Sequence, residues 1–89
     1  MRDFSLEEDL RKALKKIAKK DKVMHEIVMN KIEEIVFCEN VNHYKNLRAP
    51  MQQFKRVHVK GSFVLIFKYV LSEDKVIFFE LGHHDSIYT

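Results

Sequence analysis

Residues 56–70 read Arg56-Val57-His58-Val59-Lys60-Gly61-Ser62-Phe63-Val64-Leu65-Ile66-Phe67-Lys68-Tyr69-Val70, and this stretch decides the fold. Apolar and polar side chains alternate through its first five residues. That is the period-two pattern of a half-buried strand, with Val57 and Val59 on one side and Arg56, His58 and Lys60 on the other. Gly61-Ser62 permits a tight turn. Phe63 to Val70 is apolar on both faces, which predicts a central strand.

Downstream, Ser72-Glu73-Asp74 reads as a second turn and Val76 to Leu81 as a third strand, so short connections make an antiparallel meander. Upstream, residues 40–53 are polar, hold Pro50 and read as a connecting loop. Before residue 40 the period lengthens to that of a helix. Leu6, Leu10, Ala13, Leu14 and Ile17 share one helical face, opposite Arg11, Lys12, Lys15, Lys16 and Lys19. Ser5 to Glu8 has the form of a capping box for that helix. Asp21 is placed to cap a second helix carrying Met24, Ile27, Val28, Ile32, Ile35 and Val36. The expected fold is therefore α+β: an antiparallel helical hairpin on a twisted, three- to four-stranded antiparallel sheet, in one domain spanning 1–89.

Composition sets the outer bounds. At 89 residues the chain holds one core and no second domain. Hydrophobic residues make up 46 % and charged residues 33 %, which excludes a disordered tail. The longest apolar run, Phe63 to Phe67, is far too short to span a bilayer. Met1 is followed by a charged segment rather than an apolar one, and the reading is cytoplasmic. Cys38 is the only cysteine, so no internal disulfide forms and no cysteine pair suggests zinc. With Gly61 and Gly82 the only glycines, a phosphate-binding glycine loop is excluded.

The net charge of +3 is unevenly spread. Residues 40–62 carry Lys45, Arg48, Lys55, Arg56 and Lys60 without a single acid. Such a block attracts phosphates whatever the overall charge. Arg56, His58 and Lys60 are expected on the uncovered sheet face, and the tail from Gly82 to Tyr88 is expected to cross back towards it. Cations, imidazoles and aromatic rings together suit RNA cleavage: cations hold the scissile phosphate, rings stack a base, and imidazoles move protons near neutral pH.

At these residues the chain resembles a family. The stretch 44–70, YKNLRAPMQQFKRVHVKGSFVLIFKYV, with 80–88, ELGHHDSIY, is similar to the RelE/ParE superfamily of prokaryotic toxins, nearest the YafQ-like branch and its archaeal relatives. The most specific features are the interval from His58 to Phe63, the strand FVLIFK, and the ending G-x-H-x-x-[LIV]-[FY] at Gly82 to Tyr88. The resemblance implies a ribosome-dependent mRNA endonuclease silenced by an antitoxin encoded beside it.

Residue by residue, the resemblance puts His84 on the general acid and His58 on a second functional histidine near the scissile phosphate. Phe63 and Tyr88 fall on aromatic positions, and Lys45 stands where YafQ has a further active-site histidine. Arg56 and Lys60, with Arg48 in the same basic block, are expected to contact RNA phosphates. Two positions depart: Ser62 replaces an aspartate proposed as general base, and Val64 lies near an arginine important in RelE. The superfamily usually opens with a strand, for which Arg2 to Phe4 remain. No metal and no cofactor are expected; the expected partners are mRNA on the ribosome and an acidic antitoxin. The alternative is a binding toxin on the same fold, acting on the ribosome or gyrase or surviving only as an antitoxin partner.

Overall fold

The computed structural model describes residues 1–83. In chain order these form β1 (Asp3–Leu6), α1 (Glu8–Lys20), α2 (Lys22–Phe37), a short 3-10 turn (Val41–His43), β2 (Lys55–Lys60), β3 (Phe63–Val70), a 3-10 turn (Leu71–Glu73) and β4 (Lys75–His83). The sheet order is β1-β4-β3-β2. The meander of β2, β3 and β4 is antiparallel as expected, and β3 is interior.

The sheet as a whole is mixed, which corrects the all-antiparallel expectation. β1 runs parallel to β4, with Phe4 opposite Val76 and Leu6 opposite Phe78. This pairing also removes the expected capping box. Ser5 is committed to the ladder opposite Ile77, α1 starts at Glu8, and Glu7 precedes it with no side-chain cap. The Glu7 amide instead donates to the Phe78 carbonyl at 2.9 Å, carrying the chain from sheet to helix. Leu6 still packs against the core, but from a strand end.

The helical hairpin follows its pattern. Leu10 and Leu14 of α1 and Met24, Val28, Ile32, Ile35 and Val36 of α2 are buried. Asp21 breaks the two helices and caps the second, its Oδ1 accepting from the Met24 amide at 3.0 Å. At the other end of α2 the Arg2 guanidinium donates to the carbonyls of Ile35, Val36 and Cys38, satisfying groups that the helix leaves unpaired. The same guanidinium meets Asp74 Oδ1 at 3.0 Å, and Tyr69 donates its hydroxyl to that oxygen at 2.7 Å. The first residues of the chain are thus tied to the β3–β4 connection.

Both faces of the sheet are covered. On the helix side Leu65, Phe67, Val76 and Phe78 join Leu10, Leu14, Val28 and Ile35 in the main core. On the other side Val64 and Ile66 pack with Leu47, Phe54 and Phe79 in a smaller cluster. Residues 40–53 are therefore more than a polar connector: Val41 and Leu47 from this segment are buried. That second cluster is the reason β3 is apolar on both sides.

Candidate nucleic-acid interface

The two-residue turn at Gly61-Ser62 places Lys60 opposite Phe63, and Gly61 takes a φ of 56°, a left-handed conformation that costs glycine nothing sterically. Directly paired residues on neighbouring strands share a face of the sheet. Arg56 pairs with Ile66 and His58 with Val64, so both lie on the face of the smaller cluster. Val57 pairs with Leu65 and packs, with Val59, on the helix side.

Lys60 corrects the alternation. A bulge between His58 and Lys60 inserts an extra residue, so Lys60 pairs with Phe63, two residues before the helix-side Leu65. Lys60 therefore lines a pocket against the helical hairpin, together with Lys16 and Lys20 of α1, and does not project with Arg56 and His58. The cations expected on one face are divided between two.

Lys45 is brought to β2 by backbone bonds. The Arg56 amide donates to the Lys45 carbonyl at 2.9 Å, and Asn46 forms a bridge with Lys55. Lys55, only 7 % exposed, holds this junction by donating Nζ to Tyr44 O at 3.1 Å and to Asn46 Oδ1 at 2.7 Å. Burial pushes its amine below the usual lysine range. Lys45 and Arg48 are exposed on the segment that covers the second cluster, and His58 is exposed beside half-buried Arg56. Lys45, Arg56 and His58 are therefore joined through one strand and its neighbour.

At the start of that segment Tyr44, packed against the helix-side core, donates its hydroxyl to Glu34 Oε2 at 2.7 Å, which holds the Glu34 carboxyl below its ordinary range. Desolvation together with this bond pushes the Tyr44 phenol well above its own.

Phe63 is 41 % exposed, and its ring meets the His83 ring edge-on, centroids 5.8 Å apart at 74°. His83 is a residue that sequence reasoning left unassigned, because its pairing with Phe63 depends on strand register. Lys16 was legible only as part of an exposed helical face. Ser62 lies in the exposed turn on the same rim. His84 and Tyr88 lie outside the described residues, as do Asp85, Ser86 and Ile87. Among the described residues no group of His, Cys, Asp and Glu side chains could hold a metal ion, and no helix is long and apolar enough to cross a membrane.

No family model matches the chain. It is 43 % identical over 88 residues to a protein of Methanocaldococcus jannaschii named as the toxin RelE4, a match covering 99 % of this chain and 92 % of that one. The chain belongs to the RelE toxin family. Among solved structures, the fold is shared with RelE in the intact E. coli RelBE toxin–antitoxin complex, at a TM-score of 0.73 and 14 % identity over 93 % of this chain and 96 % of that one. It is shared also with YafQ from E. coli, at a TM-score of 0.66 and 17 % identity over the whole of both chains. On this scaffold the RelE-family toxin places Arg56 and His58 on one face of β2 and Lys45 on the segment beside it.

Proposed function

We propose that this RelE-family toxin is an endoribonuclease that cuts mRNA on the ribosome and so halts translation. The observation that carries the reading is the placing of a guanidinium beside an imidazole: Arg56 and His58 share one face of β2, with Lys45 bonded alongside, in a block without acids. The chemistry needs no metal. The 2′-hydroxyl attacks the adjacent phosphorus and gives up its proton, the P–O5′ bond breaks, and the 5′ oxygen is protonated. The products are a 2′,3′-cyclic phosphate and a 5′-hydroxyl end.

His84 is the acid for the leaving oxygen, assigned by the motif Gly82 to Tyr88, and Tyr88 stacks a base at the site. His58 takes the 2′-hydroxyl proton, because Ser62 stands in place of an aspartate and a serine hydroxyl accepts no proton at neutral pH. Arg56, with Lys45 and Arg48, stabilises the charge that develops on the phosphate. The partner that silences the toxin is an acidic antitoxin segment, which folds onto the basic surface and binds less tightly as salt rises.

Purified protein added to ribosomes translating a defined message tests the reading, with cleavage mapped by primer extension and end chemistry read by 5′ labelling. Cleavage leaving 5′-hydroxyl ends is expected. General acid catalysis contributes about 10²–10⁴-fold, so His84→Ala should lose that much rate while still binding ribosomes. Ser62→Asp should raise the rate, by restoring a base. Ribosome binding without cleavage by the native chain would refute the nuclease reading and leave a toxin that acts by occupancy.

A further inference from the structure

A second pocket, about 330 Å³, lies beside the start of α1 on the sheet face of the smaller cluster, and the nuclease assignments leave it unused. Its floor is apolar: Ile66 of β3, Phe79 of β4, and Met51 and Phe54 from the segment before β2. The Phe54 and Phe79 rings meet edge-on with centroids 4.9 Å apart, and Met51 is 45 % exposed. Glu7, Glu8, Asp9 and Glu80 complete the lining, which holds no lysine, arginine or histidine.

A bulge in β4 builds this arrangement. Phe67 pairs with Phe78 and Ile66 with Glu80, so Phe79 is the inserted residue. Phe79 packs in the smaller cluster, and Glu80 shares the face of its partner Ile66. Glu8 and Asp9 have a local reason to be acidic, since carboxylates in a first helical turn offset its positive end. Glu7 and Glu80 have no such reason, and neither is in an ion pair among the described residues. On its own face Glu80 has Arg56 across Ile66, two strand spacings or roughly 10 Å away.

We propose that this pocket docks an extended, basic segment of a partner protein, which seats an apolar side chain on Met51, Phe54 and Phe79 while its flanking lysines or arginines meet Glu7 and Glu80. The inference goes beyond the nuclease reading and does not depend on it. Charge selects the class of partner: a basic segment is drawn to four carboxylates, whereas RNA and acidic polypeptides are repelled there and drawn instead to the acid-free block. An apolar hollow of this size seats a side chain, and the flexible Met51 adapts to what enters. Backbone selects the extended form. After Leu6 the chain leaves the sheet for α1, so beyond Phe78 the outer edge of β4 has no strand partner among the described residues. A segment lying along that edge gains main-chain hydrogen bonds beside the pocket.

The test titrates the full chain, labelled at its methionine methyl groups, with the capped hexapeptide Arg-Leu-Lys-Val-Arg-Lys, read by NMR and by anisotropy of the fluorescein-labelled peptide. The control, Arg-Ser-Lys-Ser-Arg-Lys, carries the same charge without apolar side chains. A shift at the Met51 methyl is expected with the first peptide, and binding about tenfold weaker with the control. Glu7→Gln/Glu80→Gln, both exposed positions, should weaken the first peptide roughly fivefold at low salt, the difference fading as salt rises. Equal affinity for the two peptides with Met51 unmoved, or a double variant that binds like the native chain, would overturn the docking site. A Met51 shift with a single-stranded oligoribonucleotide and none with the peptide would overturn it in favour of the nuclease surface. A Met51 signal that changes with protein concentration alone, with a dimer in sedimentation, would overturn it in favour of a second copy of this chain.

Discussion

Replacing Lys55 with methionine tests how the basic surface is assembled. The side chain is 7 % exposed and its amine makes two hydrogen bonds, at 3.1 Å to Tyr44 O and 2.7 Å to Asn46 Oδ1. Hydrogen bonds involving a charged group contribute about 1.5–3 kcal/mol each, and two give a gross loss of about 3–6 kcal/mol. Methionine keeps the apolar stem and removes a buried cation, whose desolvation already pushes the amine below its usual range, and this offsets part of the loss. The net expectation is about 2 kcal/mol of destabilisation, which in a domain of this size lowers Tm by roughly 8–16 °C.

The pH dependence has a fixed sign. A lysine depressed in the fold binds fewer protons than its unfolded counterpart between the two pKa values, so native stability gains on Lys55→Met as pH rises through that window towards 10.5. Urea titrations from pH 7 to 10 measure this gap. Because Lys55 braces both neighbours of Lys45, RNA affinity at low salt should fall as well. A variant as stable as the native chain at neutral pH, with unchanged RNA affinity, would refute the bracing argument.

Three further outcomes are expected. Tyr44→Phe should cost about 1 kcal/mol, a modest figure because the Glu34 carboxylate is 53 % exposed. The lowered Glu34 pKa makes that difference present above pH 4.5 and lost in acid, while the raised Tyr44 pKa makes it present below pH 10.0 and lost in alkali; thermal melts across pH 3–11 check both edges. Gly61→Ala should cost about 1–2 kcal/mol by chemical denaturation, since the space is open but φ is 56°; an unchanged midpoint would contradict the strain argument. Arg2→Ala should cost about 3 kcal/mol and increase amide exchange at the end of α2, because a guanidinium 9 % exposed leaves three carbonyls and Asp74; Arg2→Lys should recover only part of it.

Much of the candidate site was legible in the chain before folding. The acid-free block, the alternation of Arg56, Val57, His58 and Val59, and the turn at Gly61 are local patterns, and the faces of Arg56 and His58 follow from them. Lys60 departs because one inserted residue reverses the facing of the positions after it, and a bulge is set by pairing rather than by the pattern of the strand. Lys55, an ordinary member of the basic block by sequence, becomes the buried brace only when Tyr44 and Asn46 meet β2.

The sequence by itself determined the two helices, the meander, the central place of β3 and the Asp21 cap. Each depends on side-chain periodicity or on a contact a few residues apart. Tertiary structure decided the parallel seating of β1 on β4, the fate of Ser5 as a ladder residue, and the burial of Leu47. It also decided the meeting of Lys16 and Lys20 with Lys60 and His83. These join residues far apart in the chain, and no local pattern records them. Their geometry comes from strand register and from how the hairpin lies across the sheet, which are settled only as the core closes.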